Sequence, residues 1–150
     1  MGDEDTPISQ EALDRELAFG VEDPSALTAN RRAFTIMVRN YFFRLAELFA
    51  YEKEDQLAEL TGYLEPQDTV DWPAAMDDYF DEYDDMDTGP AARGPKYFRL
   101  GDQTGRAWEV TQIFKDPAGD NAFQLRGVVD LEASDEAGEV RLSRLELVEG

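Results

Sequence analysis

The spacing of apolar residues changes period once along this chain, and the change is fenced by Gly89, Pro90, Gly94 and Pro95. Before the fence, Trp72, Met76, Tyr79, Phe80 and Tyr83 recur at helical spacing. After it, Trp108, Val110 and Phe114 share one alternating phase, as do Phe123, Leu125, Val129 and Leu131. A 3.6-residue period buries one stripe of a helix, and a two-residue period buries one face of a strand. Glycine and proline end helical structure at the boundary. A run of helices followed by a run of strands predicts an α+β fold, with helices packed on one face of a single sheet. A chain of 150 residues suits one such domain.

Residues 1–25 read as an extension whose first eight residues are polar. Ser9 is placed to cap a short helix reaching about Phe19, with Ala12, Leu13, Leu17 and Ala18 as its stripe and Gly20 as its stop. The domain proper is predicted over 26–150. Asp23 and Pro24 read as the cap and first position of a long helix that runs to about Tyr51 and resumes after a break through Leu57 and Leu60 to Gly62. Leu64–Val70 reads as a loop around Pro66, and Asp71 as the cap of a further helix. About three or four helices result.

Four strands are predicted, at about 96–100, 107–115, 122–132 and 139–148. The connections 101–105, 116–121 and 134–138 have hairpin length and turn chemistry, so consecutive strands form an antiparallel meander. In the last strand the inward phase slips between Leu142 and Leu145, which predicts a bulge near Ser143.

Cysteine and histidine are both missing. Thiolate zinc sites, a cysteine nucleophile, Ser-His-Asp triads and imidazole ligands are thereby excluded. Asp and Glu number 34 against 14 Lys and Arg, for a formal net charge of −20. The long-range field of such a molecule repels nucleic acids and anionic membranes, although local basic patches still bind. The sequence contains neither an apolar run of membrane-spanning length nor a basic start followed by an apolar stretch, so no membrane partner and a cytoplasmic location are expected. Met1, Gly2 and Thr6 satisfy the loose myristoylation pattern, but Asp3, Glu4 and Asp5 oppose an anionic bilayer.

Against this acidity two windows stand out. From Pro24 to Ala46 there is no carboxylate but there are four arginines, Arg31, Arg32, Arg39 and Arg44. On a helix, Phe34, Val38, Tyr41, Phe42, Leu45, Leu48 and Phe49 fall on one face, while Arg32, Ile36, Arg39 and Phe43 follow the opposite one. A helix apolar on two sides is sandwiched, either by its own chain or by a partner. Thr88–Leu100 is the second acid-free window and carries Arg93, Lys96 and Arg99. Arg32, Arg39, Phe43, Arg93 and Lys96 together suit contact with a nucleic-acid backbone or a protein partner. Ion pairing with the acidic helix explains the same residues equally well.

No Walker motif is present, so no nucleotide is expected to be hydrolysed by this chain. Asp77, Asp78, Asp81, Glu82, Asp84, Asp85 and Asp87 form an acidic face that lacks the alternating loop of a calcium site and reads as solvated, so no metal is expected. A rival reading is a small-molecule or enzymatic pocket between sheet and helices, lined by residues such as Tyr41, Tyr79, Tyr83 and Trp108, in which phenol groups and a desolvated carboxylate supply the acid-base chemistry. A homodimer through an open sheet face is a third.

Several segments in order carry a family likeness: Asn30–Asn40, Asp87–Pro95, Trp108 with Val110, Asp116–Asp120 and Val129–Gly138. From about Ala26 onward the chain resembles the domain of unknown function at the C-terminal end of actinobacterial DEAD/DEAH-box (superfamily 2) helicases. The resemblance implies a non-catalytic accessory domain, with the helicase core as its partner in cis and RNA or DNA as a possible substrate to position. ATP and magnesium would then belong to upstream helicase domains, and no cofactor to this chain. No catalytic residue carries over. The helix-then-meander order is also similar to nuclear transport factor 2-like folds, an analogy of architecture that brings no function with it.

Overall fold

A computed structural model of the chain describes residues 26–149. The Ser9–Phe19 helix and the Asp23–Pro24 start expected from sequence lie outside the described residues. Helix α1 spans Arg31–Ala50, preceded by a 3₁₀ turn at Leu27–Ala29. Its cap is Asn30, whose side chain accepts a hydrogen bond from the Ala33 N–H at 3.0 Å. This α-helix therefore begins at Arg31, about two turns after Pro24, because the extended backbone of Asn30 and its capping side chain set the start.

Glu52, with a φ of 58°, turns the chain after α1, and α2 follows at Glu54–Leu60. A 3₁₀ turn at Pro66–Asp68 lies within the expected loop. Helix α3 covers Trp72–Glu82 and is capped by Asp71, which accepts from the Ala74 N–H at 3.2 Å.

The sheet is a four-stranded antiparallel meander, ordered β1-β2-β3-β4. Its strands are β1 (Phe98–Leu100), β2 (Ala107–Ile113), β3 (Phe123–Asp130) and β4 (Leu142–Glu149). The bulge sits where the phase slip puts it. Val128 lies opposite Arg144 and Val129 opposite Leu142, leaving Ser143 as the extra residue.

One connection departs from expectation. Leu131–Ala137, read as the end of a strand and a hairpin loop, is a two-turn helix, α4. Asp130 caps it through the Ala133 N–H, and Gly138 ends it with a φ of 75°. The strands nevertheless stay joined beneath it, because the Asp130 N–H donates to the Arg141 carbonyl at 2.9 Å. The buried Ser134 hydroxyl donates to the Asp130 carbonyl at 2.8 Å and accepts from the Arg141 N–H at 2.8 Å.

The core lies between the inner sheet face and the helices. Phe34, Val38, Phe42, Leu45 and Phe49 of α1 are fully buried, and Tyr79 of α3 packs edge-on to Phe49 and Phe123 with centroids 5.7 and 5.1 Å apart. Phe34 meets Trp108 at 5.4 Å in the same way. Offset and edge-to-face contacts of this kind suit ring quadrupoles. Helix α1 lies close against the sheet because position 127 is glycine: a Cβ there would stand 2.8 Å from Phe42 Cζ and 3.2 Å from the Arg144 carbonyl. Glu109, Arg126 and Arg144 are exposed on the outer face of the sheet. Among the described residues no helix is long and apolar enough to cross a membrane.

Candidate functional site

The second apolar stripe of α1 is covered over part of its length by its own chain. Phe43 is buried, and the guanidinium of Arg93 lies over its ring, 4.7 Å from the centroid. Arg93 is brought there by the 3₁₀ turn Pro90–Arg93, which Pro90 opens and Gly94 closes. That turn is the Gly- and Pro-punctuated connector at which the period changes. Two α1 turns away, Ile36 stays half exposed at 51%.

Arg39 adds a second stacked cation, its guanidinium 5.4 Å from the centroid of Phe98 in β1. It also donates to the Arg93 backbone carbonyl at 3.4 Å, while Arg93 donates to Asn40 Oδ1 at 3.1 Å. Between these groups lies a cleft of about 220 Å³ lined by Ile36, Arg39, Asn40, Phe43, Arg93 and Phe98. The buried Gln112, held by donation to the Tyr97 carbonyl at 3.0 Å, completes its wall.

No carboxylate of the described residues lines this cleft, in a molecule of net charge −20. Among the described residues, none of Arg32, Arg39, Arg93 and Lys96 forms an ion pair. Two guanidinium groups sharing one cleft, with no counter-charge among the described residues, repel each other, and an anion entering it relieves that repulsion. Their planar donor forks match phosphate and carboxylate oxygens.

Of the five contact residues expected from sequence, the fold brings together Arg39, Phe43 and Arg93. Arg32 is exposed on α1 and does not line the cleft. Lys96 lies over the ring of its neighbour Tyr97, 5.7 Å from the centroid, and also stays outside. Phe43 differs from the expectation in one respect: its face is covered by Arg93, so it serves as the seat of a cation and not as an open stacking platform.

The four residues of the rival pocket do not converge on one cavity. Tyr79 and Trp108 belong to the filled aromatic core. Tyr79 donates to the Asp85 carbonyl at 2.7 Å, and burial pushes its hydroxyl pKa up. Tyr83 donates to Asp120 at 2.7 Å, and that bond leads the causes that raise its pKa. The Trp108 Nε1 has no partner among the described residues.

Tyr41 faces a separate groove of about 630 Å³ between α1, α2 and the segment 139–141 that leads into β4. Tyr63, which sequence reasoning did not single out, stands there at a hydroxyl-to-hydroxyl distance of 3.0 Å from Tyr41. Burial raises the pKa of both phenols, with their mutual contact contributing at Tyr41. Arg141 lies over the Tyr63 ring at 4.4 Å and pairs with Glu139 at 2.7 Å.

The acidic run is exposed along α3 and beyond. Among the described residues no three acidic side chains converge in a manner that holds a metal ion. Asp87, at its end, pairs with Lys115 at 3.1 Å; the Gly89 N–H and that lysine hold its carboxyl below the ordinary range.

Comparison with curated proteins and with solved structures gives no match. A family model does match, over residues 1–147, and that span takes in both the residues that sequence reading sets apart as an extension and every residue of the cleft. The chain therefore belongs to the family described as Domain of unknown function (DUF3516).

Proposed function

We propose that this chain is a non-catalytic accessory domain of a DEAD/DEAH-box helicase, docking on the helicase core in cis and positioning its single-stranded nucleic acid. The observation that carries the reading is the convergence of Arg39 and Arg93, each stacked on a phenylalanine ring, in a cleft that no carboxylate of the described residues lines. The likeness of several segments to helicase tail domains supplies the setting. ATP and magnesium chemistry is assigned to the upstream domains, and this chain supplies contact.

Stacking on a ring restricts an arginine while leaving its N–H edge free to bind oxygen, so both cations are ordered before an anion arrives. The acidity of the rest of the molecule confines attraction to this cleft and makes binding sensitive to salt. Each phosphate neutralised on a single strand adds about 0.7 to the slope of log affinity against log salt.

Titration of labelled single-stranded RNA and DNA at low salt, followed by anisotropy, tests the reading. The wild-type chain is expected to bind, and Arg39→Glu/Arg93→Glu to bind at least about tenfold more weakly with a shallower salt slope. Unchanged affinity in that variant sinks the assignment of the cleft. If neither protein binds, positioning falls and only docking on the core survives.

A further inference from the structure

We infer that the groove formed by Tyr41, Tyr63, Met37 and Leu60 is a nucleobase pocket, which receives a base of the same strand whose phosphate lies in the Arg39/Arg93 cleft. This rests on the strand-binding reading above and assigns the second half of its site.

The groove lies immediately across α1 from the cleft. Asn40 lines both, with Ile36 and Arg39 on the cleft side and Met37 and Tyr41 on the groove side. A strand crossing the helix at Asn40 therefore meets stacked cations on one side and a slot on the other. The volume of about 630 Å³ falls within the ~300–1,000 Å³ usual for small-molecule sites.

The polar atoms of the two phenols are already committed. The Leu142 N–H donates to Tyr63 Oη at 2.9 Å, and the Tyr41 hydroxyl donates to the Leu60 carbonyl at 3.0 Å. The Leu60 oxygen can only accept, so the single proton left for the Tyr41–Tyr63 contact is that of Tyr63. Neither phenol retains a free O–H to offer a ligand. The walls consequently present the Tyr41 ring, the Arg141 guanidinium seated on the Tyr63 ring and the aliphatic carbon of Met37 and Leu60, with the charged ends of Arg44, Glu59 and Glu139 also lining the groove. A flat aromatic body fits these planes, and the two carboxylates can accept from its N–H groups.

Hydrogen-bonding capacity remains at the rim. Asn40 Oδ1 is occupied by Arg93, which directs the amide N–H pair outward as donors. The guanidinium of Arg141, already seated on the Tyr63 ring, offers a further plane for stacking. A flat aromatic body with acceptors at its edge, joined by a short link to an anion, is a nucleotide. Base stacking of this kind tolerates any sequence.

The experiment compares a ten-residue deoxythymidine strand with an abasic strand of equal length and charge. It uses the wild-type chain, Met37→Glu, Met37→Lys and Arg39→Glu/Arg93→Glu. Met37 is half-buried on α1, and both of its replacements are good helix formers with opposite charges. Wild type is expected to favour the base-bearing strand by at least about tenfold. Both Met37 variants should reduce that preference to within about twofold, a shared loss that charge alone cannot produce.

Equal binding of the two strands by wild type, with both lost in the double arginine variant, overturns the base pocket and leaves strand binding intact. A preference that persists in both Met37 variants places the base elsewhere and also overturns it. If wild type binds neither strand, the pocket and the strand-positioning reading fall together.

Discussion

Arg93 sits over the face of Phe43, 4.7 Å from the ring centroid, and so fastens the connector before β1 to the middle of α1. The ring is buried while the cation remains exposed, a setting in which such contacts contribute about 0.5–1 kcal/mol. A double-mutant cycle with Arg93→Ala and Phe43→Leu, the latter keeping most of the apolar volume, is expected to return a coupling energy in that range by urea denaturation. Additive losses would mean that the stack is geometric only.

Tyr63→Phe is expected to destabilise more than Tyr41→Phe. Removing the Tyr63 hydroxyl strands the Leu142 N–H and takes away the donor to Tyr41. Removing that of Tyr41 leaves a carbonyl with a second lone pair and a Tyr63 hydroxyl free to turn. Losses of about 1–3 kcal/mol for Tyr63→Phe and about 1 kcal/mol for Tyr41→Phe follow from the penalty for unpaired buried donors, and denaturant midpoints at unchanged m-value measure them. The raised pKa values of these phenols predict alkaline destabilisation as well. A group held above its unfolded value, about 10 for tyrosine, stabilises below that pH and loses the contribution as pH rises through the folded value.

Asp135 ties the first turn of the described chain to the sheet. Its carboxylate accepts from the Thr28 N–H and hydroxyl, both at 2.8 Å, and from Arg106 at 2.8 Å. Burial pushes its pKa up, but these donors outweigh it and hold the carboxyl below its ordinary value. The contribution is therefore present above the unfolded pKa, about 3.9, and is lost as pH falls through the lower folded value. Asp135→Asn should destabilise by about 1–3 kcal/mol at neutral pH, and thermal melts should show the gap closing below about pH 4. A gap independent of pH would remove the charge from the account.

Gly127→Ala is expected to cost about 1–3 kcal/mol, the usual range for overpacking. The added methyl collides with a ring and with a backbone carbonyl, at 2.8 and 3.2 Å, and the carbonyl cannot swing aside. Urea midpoints measure the loss, and a neutral result would mean that Phe42 finds another rotamer.

Much of the fold was legible because its signals are local. Caps at Asp71, alternation along β2 and β3, and even the bulge at Ser143 follow from neighbouring residues. Helix α4 was misread because Leu131 continues the alternating phase of β3; the contrary signal was Asp130 as a cap with Gly138 as a stop, eight residues on. The cleft was half legible. Acid-free windows pointed to Arg39 and Arg93, but the backbone fold alone decides that they meet, and nothing local separates them from Arg32 and Lys96, which stay outside. Tyr63 carried no sequence signal at all. Its part depends on three segments arriving at one hydroxyl.

Phe42 and Phe43 are consecutive, the first pressed against Gly127 and the second roofed by Arg93. Neighbouring residues of α1 thus grip two layers, the bare backbone of β3 on one side and the connector before β1 on another. Bulk added at position 127 therefore presses on the ring next in the chain to the one that seats Arg93.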